Sequence, residues 1–140
     1  MEMSAFILSP VVLAALTLRL TTGILFAFQG YEKVVRIGIG GVVSTVGPSY
    51  KKLGFPDVII RLISFLTSWI ELIFGVCFAL GLLTIPSAAL LCFDLIIVTA
   101  GMSMLDPAQD MKIIFPRLML LMLYLLFASV VDIYKVDYLF

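Results

Sequence analysis

Residues 58–83 read VIIRLISFLTSWIELIFGVCFALGLL, and this stretch decides the fold class of the chain. It is longer than the roughly 20 apolar residues that cross a hydrocarbon core about 30 Å thick. Glu71 nevertheless stands near its middle. Similar apolar runs occupy residues 10–31, 86–105 and 113–131. The chain is 63% hydrophobic with a mean hydropathy of +1.22, so we expect lipid to be its solvent.

The four runs predict an all-α fold, an integral membrane four-helix bundle that forms one domain over residues 1–140. The connection between the first and second runs, residues 36–57, is long and rich in glycine and proline, which break regular helix. It also carries valine, tyrosine and phenylalanine, which are not typical of a solvated linker. We therefore expect an interfacial loop that lies against the membrane surface, with room for one short helix.

The composition excludes several classes of function. The chain has no histidine, so the usual haem, zinc and copper ligand sets are absent. Nine Lys and Arg balance nine Asp and Glu, which leaves no basic face for nucleic acid. Cys77 and Cys92 form no C-x-x-C motif, and we interpret them as packing residues. We expect no covalently bound or metal cofactor and no independent catalytic machinery.

Ionisable residues inside the apolar runs are the candidate site, since a charge at the bilayer centre costs at least about 2.5–3.5 kcal/mol. Arg19, Glu71 and Asp94 lie in the first, second and third runs. We measured depth from the outer end of each run at about 1.5 Å per residue, and the three residues fall within reach of one another. Tyr124 in the fourth run falls at a similar depth. The sequence predicts a cluster of these four side chains, with Arg19 paired to Glu71.

Two interpretations of this cluster stay open. In the first, it is a structural ion network that fixes helix register, because polar side chains hold membrane helices together. In the second, it is a polar pocket that binds a quinone or a proton. One arginine facing two carboxylates leaves a negative charge that proton binding would remove.

The cytoplasmic loops of membrane proteins carry an excess of Lys and Arg, so the distribution of these residues predicts how the chain is oriented in the membrane. One side of the bundle collects Lys33, Arg36, Lys51, Lys52, Arg61, Lys112 and Arg117. We expect that side to be cytoplasmic, with the protein in the plasma membrane and both termini outside.

Several of these residues form a wider pattern. The first run reads Arg19-x-x-x-Gly23-x-x-Phe26-x-x-x-Gly30-x-x-Lys33. The second reads Glu71-x-x-x-Gly75, then Leu80-Gly81-Leu82-Leu83-Thr84, and Gly54-Phe55-Pro56 precedes it. In order and spacing, this pattern resembles the DoxX/DoxD family of small four-helix membrane proteins over residues 18–100.

The resemblance implies that Arg19 and Glu71 occupy recurrent family positions, whereas Asp94 maps to none of them. It also implies a link to quinone-dependent respiration, because named members are associated with thiosulfate:quinone oxidoreductase and terminal quinol oxidase. We predict a cofactor-free, non-catalytic membrane subunit of a quinone-linked complex, with lipid and other integral membrane subunits as partners and quinone as candidate ligand. Two alternatives stay open, namely a homo-oligomeric transporter or proton-conducting module, and an assembly scaffold without a site.

Overall fold

The computed structural model describes the backbone of residues 10–131, and the side chains in that range except those of residues 107, 109–111, 113 and 129–131. This part of the chain forms helices and contains no strand, as the all-α prediction requires. The elements are α1 at Pro10–Tyr31 with a π-helical continuation at Glu32–Arg36, α2 at Gly38–Lys52, α3 at Asp57–Leu80, α4 at Thr84–Leu105 and α5 at Pro107–Val131.

Three of these helices are long and apolar enough to cross a membrane, namely α1 with its continuation, α3 and α4. The apolar stretch identified in α5 is shorter, at Ile114–Ala128. Helix α1 packs against α3 and α5, and α4 packs against the same two helices, so four antiparallel helices close a ring. The ring encloses a core that includes Phe26, Phe78, Leu91, Leu121 and Tyr124.

Tight turns set the register of α3, α4 and α5. Helix α3 ends at Gly81, which adopts the left-handed conformation with φ of 77° that favours glycine. The N–H of Leu82 then donates to the carbonyl of Cys77 at 2.8 Å and completes this helix cap. Helix α4 ends at Asp106, whose Oδ1 accepts a hydrogen bond from the N–H of Ala108 at 3.0 Å and caps α5. Adjacent helices are therefore antiparallel and closely aligned.

The interfacial loop expected at residues 36–57 is instead largely helical, because α2 covers 15 of its residues. Glycine costs about 1 kcal/mol in a helix interior relative to alanine, which is why the glycines argued for a loop. However, Val42, Val46 and Tyr50 recur every four residues and form one apolar stripe, and all three line a cavity shared with α3 and α4. Partial burial of this stripe explains how α2 persists despite its glycines and Pro48.

Helices α1 and α3 meet with their backbones in contact. A Cβ atom added to Gly23 would lie 2.5 Å from the backbone nitrogen of Ala79, and one added to Gly75 would lie 2.5 Å from that of Ala27. The successive pairs are Gly23 with Ala79, Ala27 with Gly75, and Gly30 with Leu72. From one pair to the next, the residue number rises along α1 and falls by the same amount along α3. These contacts therefore fix the antiparallel register of the two helices.

Candidate functional site

An ion pair inside the ring is the first part of the site. Glu71 lies on the inner face of α3 and is 1% exposed. The Nζ atom of Lys33 donates to its Oε2 at 2.5 Å. Lys33 follows Gly30 by three residues and therefore lies on the same face of the helix, the face that packs against α3. The π-helical turn closes with the N–H of Ile37 bonded to the carbonyl of Glu32 at 2.8 Å.

The second acid of the site is Asp94 on α4, which is 0% exposed. Neither of its carboxylate oxygens has a hydrogen-bond partner among the residues that the structure describes. Asp94 interacts electrostatically with Glu71, Lys33 and Arg117, and Arg117 also interacts with Glu71. Lys33, Glu71, Asp94 and Arg117 form what we call the charge cluster. It takes one side chain from each helix of the ring and contains two positive and two negative groups.

The structure brings Glu71 and Asp94 together, but the predicted pairing of Arg19 with Glu71 is wrong. The contacts between α1 and α3 align Arg19 with Leu83, twelve residues or about 18 Å from the level of Glu71. The depth estimate assumed that Pro10 and Leu83 lie at the same level. In the structure, Leu83 is level with Arg19, which lies nine residues beyond Pro10. Every position on α1 is therefore displaced by nine residues relative to the estimate.

Tyr124 also lies outside the charge cluster. It is fully buried, and its ring packs edge-on against Phe78 with centroids 4.7 Å apart. Phe78 is seven residues beyond Glu71 on α3, which corresponds to about 10 Å along the helix. Tyr124 therefore lies between the level of the charge cluster and that of Arg19, and belongs to the apolar core.

Sequence reasoning did not include Lys33 and Arg117 in the predicted cluster, because both were assigned to the basic, cytoplasmic side. Two signals could have identified them. Lys33 closes the spaced pattern that begins at Arg19 and runs along the buried face of α1. The fourth apolar run was predicted to begin near residue 113, whereas α5 begins at Pro107. The longer helix carries Arg117 into the ring.

Two cavities adjoin the charge cluster. The polar cavity has a volume of about 370 Å³, and its polar lining consists of Gln29, Glu32, Lys33 and Arg117. The amide oxygen of Gln29 is buried without a hydrogen-bond partner among the described residues. The apolar cavity has a volume of about 440 Å³ and lies between α2, α3 and α4. Lys33, Val98 and Met102 line both cavities, so the two spaces are neighbours.

The chemistry available to this site is that of hydrogen bonding and proton exchange. A buried carboxyl with vacant oxygens can accept a hydrogen bond when ionised and donate one when protonated. Lys33 and Arg117, which interact with it electrostatically, carry hydrogen-bond donors. Among the residues whose placement the structure describes, no three His, Cys, Asp or Glu side chains are grouped so that they could hold a metal ion.

The family model described as DoxX matches residues 14–104, which cover α2, α3, most of α1 and α4, and three of the four members of the charge cluster. Arg117 lies beyond the matched range. No curated protein and no solved structure matches the chain significantly.

Proposed function

The chain belongs to the DoxX family of membrane proteins, and we propose that it is a small, cofactor-free subunit of a quinone-linked redox complex. In this proposal α1, α3, α4 and α5 cross the membrane as a four-helix bundle. The observation that supports it most directly is Asp94, an acid that is fully buried and has no hydrogen-bond partner on either oxygen among the described residues.

Quinone chemistry gives such an acid a role. Quinol oxidation releases protons together with electrons, and quinone reduction takes up both. Asp94 would exchange the proton or accept the quinol hydrogen bond, while Glu71 would hold Lys33 in place beside it. Lys33 or Arg117 would donate to a quinone carbonyl, a role expected of Arg19 before its position was known. Electrons would come from cofactor-bearing partner subunits.

We expect Asp94→Asn to lower quinone-linked turnover of the parent complex by about 10²-fold, the lower end of the effect of a general acid or base. Asparagine keeps the shape of the side chain but cannot exchange the proton. Turnover of the complex, purified in mild detergent, would be normalised to the amount of this subunit. Glu71→Gln should also impair turnover.

Asp57→Asn is the matched control, because Asp57 lies on α3 with its side chain 67% exposed. It should leave turnover unchanged. If Asp94→Asn assembles and turns over like the control, the charge cluster is structural. If the chain purifies without redox partners, the subunit proposal itself fails.

The polar cavity favours a second candidate, a homo-oligomeric proton-conducting or transport module. It brings Gln29, Lys33 and Arg117 around a space of about 370 Å³ at the charge cluster, as a proton path would require. The purified chain, reconstituted into vesicles that contain a pH-sensitive dye, would then conduct protons down an imposed gradient. Asp94→Asn would abolish that flux, and Asp57→Asn would not.

For topology, we propose that the ends of the bundle joined by α2 face the cytoplasm of a plasma-membrane protein, since Lys51 and Lys52 lie there. The termini lie outside the described residues, and we predict that both are outside the cell. Alkaline phosphatase fused after Phe140 should be active, whereas a fusion within residues 53–56 should be inactive. The reverse result would invert the orientation.

A further inference from the structure

The apolar cavity is large enough to bind a ligand. Its volume of about 440 Å³ falls within the range of roughly 300–1,000 Å³ typical of small-molecule sites. Helix α2 covers it, and α3 and α4 form its walls. The lining is mainly aliphatic and includes Val42, Val46, Ile60, Ile97, Val98 and Met102. A ligand that fits this cavity must bury a mostly apolar surface.

The exposed residues of the cavity lining lie on α3 and α4, and this marks the opening of the cavity. Ile59 and Ile63 line it from α3 and are 42% and 40% exposed, and Met104 lines it from the end of α4 and is 61% exposed. Both helices are long and apolar enough to span the membrane. The opening therefore faces the hydrocarbon region near one interface, and a ligand would enter sideways from the bilayer.

The inner end of the cavity carries a few hydrogen-bonding groups. Lys33 lies at this end, and Ser64 and Thr67 add hydroxyls from α3. Tyr50 reaches across from α2, so that a Cβ atom added to Gly101 would clash with its hydroxyl oxygen. Burial raises the pKa of Tyr50 above its ordinary value, so its hydroxyl remains a donor at neutral pH. Donors at one end of an apolar space suit a ligand with an acceptor at one end.

The charges around the cavity favour an uncharged ligand. Lys33 is already neutralised by Glu71 at 2.5 Å, and the remaining pair in the cluster, Asp94 and Arg117, also carries opposite charges. A phosphate or carboxylate head would meet no uncompensated cation there. Its desolvation would cost free energy that no new ion pair offsets. A neutral carbonyl oxygen needs only a hydrogen bond.

We propose that the apolar cavity binds one membrane amphiphile with an uncharged, carbonyl-bearing head, whose apolar chain leaves between α3 and α4 into the bilayer. The head would accept hydrogen bonds from Lys33 and Tyr50 at the inner end of the cavity. An isoprenoid quinone and an acylglycerol both have this chemistry. The site goes beyond the proposed redox role, because binding there requires neither Asp94 nor a redox partner.

The test uses the full chain in nanodiscs of ether-linked phosphatidylcholine, a lipid without carbonyl groups. The probe is a benzoquinone with a decyl chain, and binding is followed by quenching of Trp69, the single tryptophan, which lies two residues beyond Thr67. We expect saturable quenching. Ala100 lines the cavity, so Ala100→Phe should raise the probe Kd by about tenfold through overpacking.

The matched control is Ala89→Phe, since Ala89 is also exposed on α4 but lies outside the cavity. Its Kd should stay within about twofold of that of the unchanged protein. Val46→Phe, which fills the cavity from α2, replaces Ala100→Phe if that variant does not fold. Binding in these nanodiscs is measured on the chain without any redox partner, so this inference and the proposed redox role can fail separately.

Competition identifies the head group. A monoacylglycerol should displace the probe, whereas a lysophosphatidate with the same chain should be at least about tenfold weaker. Displacement by quinones but not by the monoacylglycerol would assign the site to quinones alone. The proposal is overturned by absence of saturable binding, by equal Kd values in Ala100→Phe and Ala89→Phe, or by equal potency of the anionic competitor.

Discussion

Replacing Lys33 by methionine is expected to lower the free energy of unfolding by about 3–5 kcal/mol, the usual cost of leaving a buried charge without its partner. Methionine retains the apolar stem of lysine but not its charge. Glu71, which is 1% exposed and bonded to Lys33 Nζ at 2.5 Å, would be left as a buried carboxylate without this partner. Thermal unfolding in detergent, followed by circular dichroism, measures the loss.

Lys51→Met is the control, because Lys51 pairs with Asp57 at 2.7 Å while their side chains are 54% and 67% exposed. An exposed pair is worth only about 0–1 kcal/mol, so this variant should unfold almost like the unchanged protein. The ion-pair assignment fails if Lys33→Met is no more destabilising than Lys51→Met.

A double-mutant cycle distinguishes the Lys33–Glu71 pair from the Arg19–Glu71 pair that the sequence predicted. Lys33→Met combined with Glu71→Gln should be less damaging than the two single losses together. Arg19→Met combined with Glu71→Gln should be additive within about 0.3–0.5 kcal/mol, because sites this far apart rarely couple. Strong coupling of Arg19 to Glu71 would contradict the register between α1 and α3.

The chain's own periodicity and turn signals predicted α1 and α4 closely. Apolar runs at residues 10–31 and 86–105 correspond to Pro10–Tyr31 and Thr84–Leu105 in the structure. The meeting of Glu71 with Asp94 also followed, because both positions can be measured from the same tight turn near Gly81. Depth is reliable when two helices share a short connection, since the turn fixes their alignment.

The alignment of α1 with α3 could not be predicted by measuring from a shared turn. The connection between them is long, and residues 38–52 form a helix of their own within it. The register depends instead on which small residues meet across the interface, and several alignments of the glycines would satisfy the same pattern. This is why Arg19 was placed beside Glu71, and why Lys33, which actually pairs with Glu71, was assigned to the membrane surface.

Gly75→Leu is expected to lower the free energy of unfolding by about 3 kcal/mol or more, beyond the usual range for overpacking. A Cβ atom at Gly75 would lie 2.5 Å from the backbone nitrogen of Ala27 and 3.0 Å from its Cα. Backbone atoms cannot rotate away as a side chain can, so α1 and α3 must separate. Folded yield in detergent and the unfolding temperature measure the effect.

The control is Gly40→Leu on α2, because a Cβ atom at Gly40 would meet nothing within 4 Å. Replacing a helical glycine there should be neutral or stabilise the protein by up to about 0.5–1 kcal/mol. The two substitutions share their chemistry and differ only in the space around them. Equal unfolding temperatures would show that α1 and α3 are not in backbone contact. Since Gly75 lies one turn from Glu71, the close approach that this glycine permits is also what brings Lys33 within reach of the buried acid.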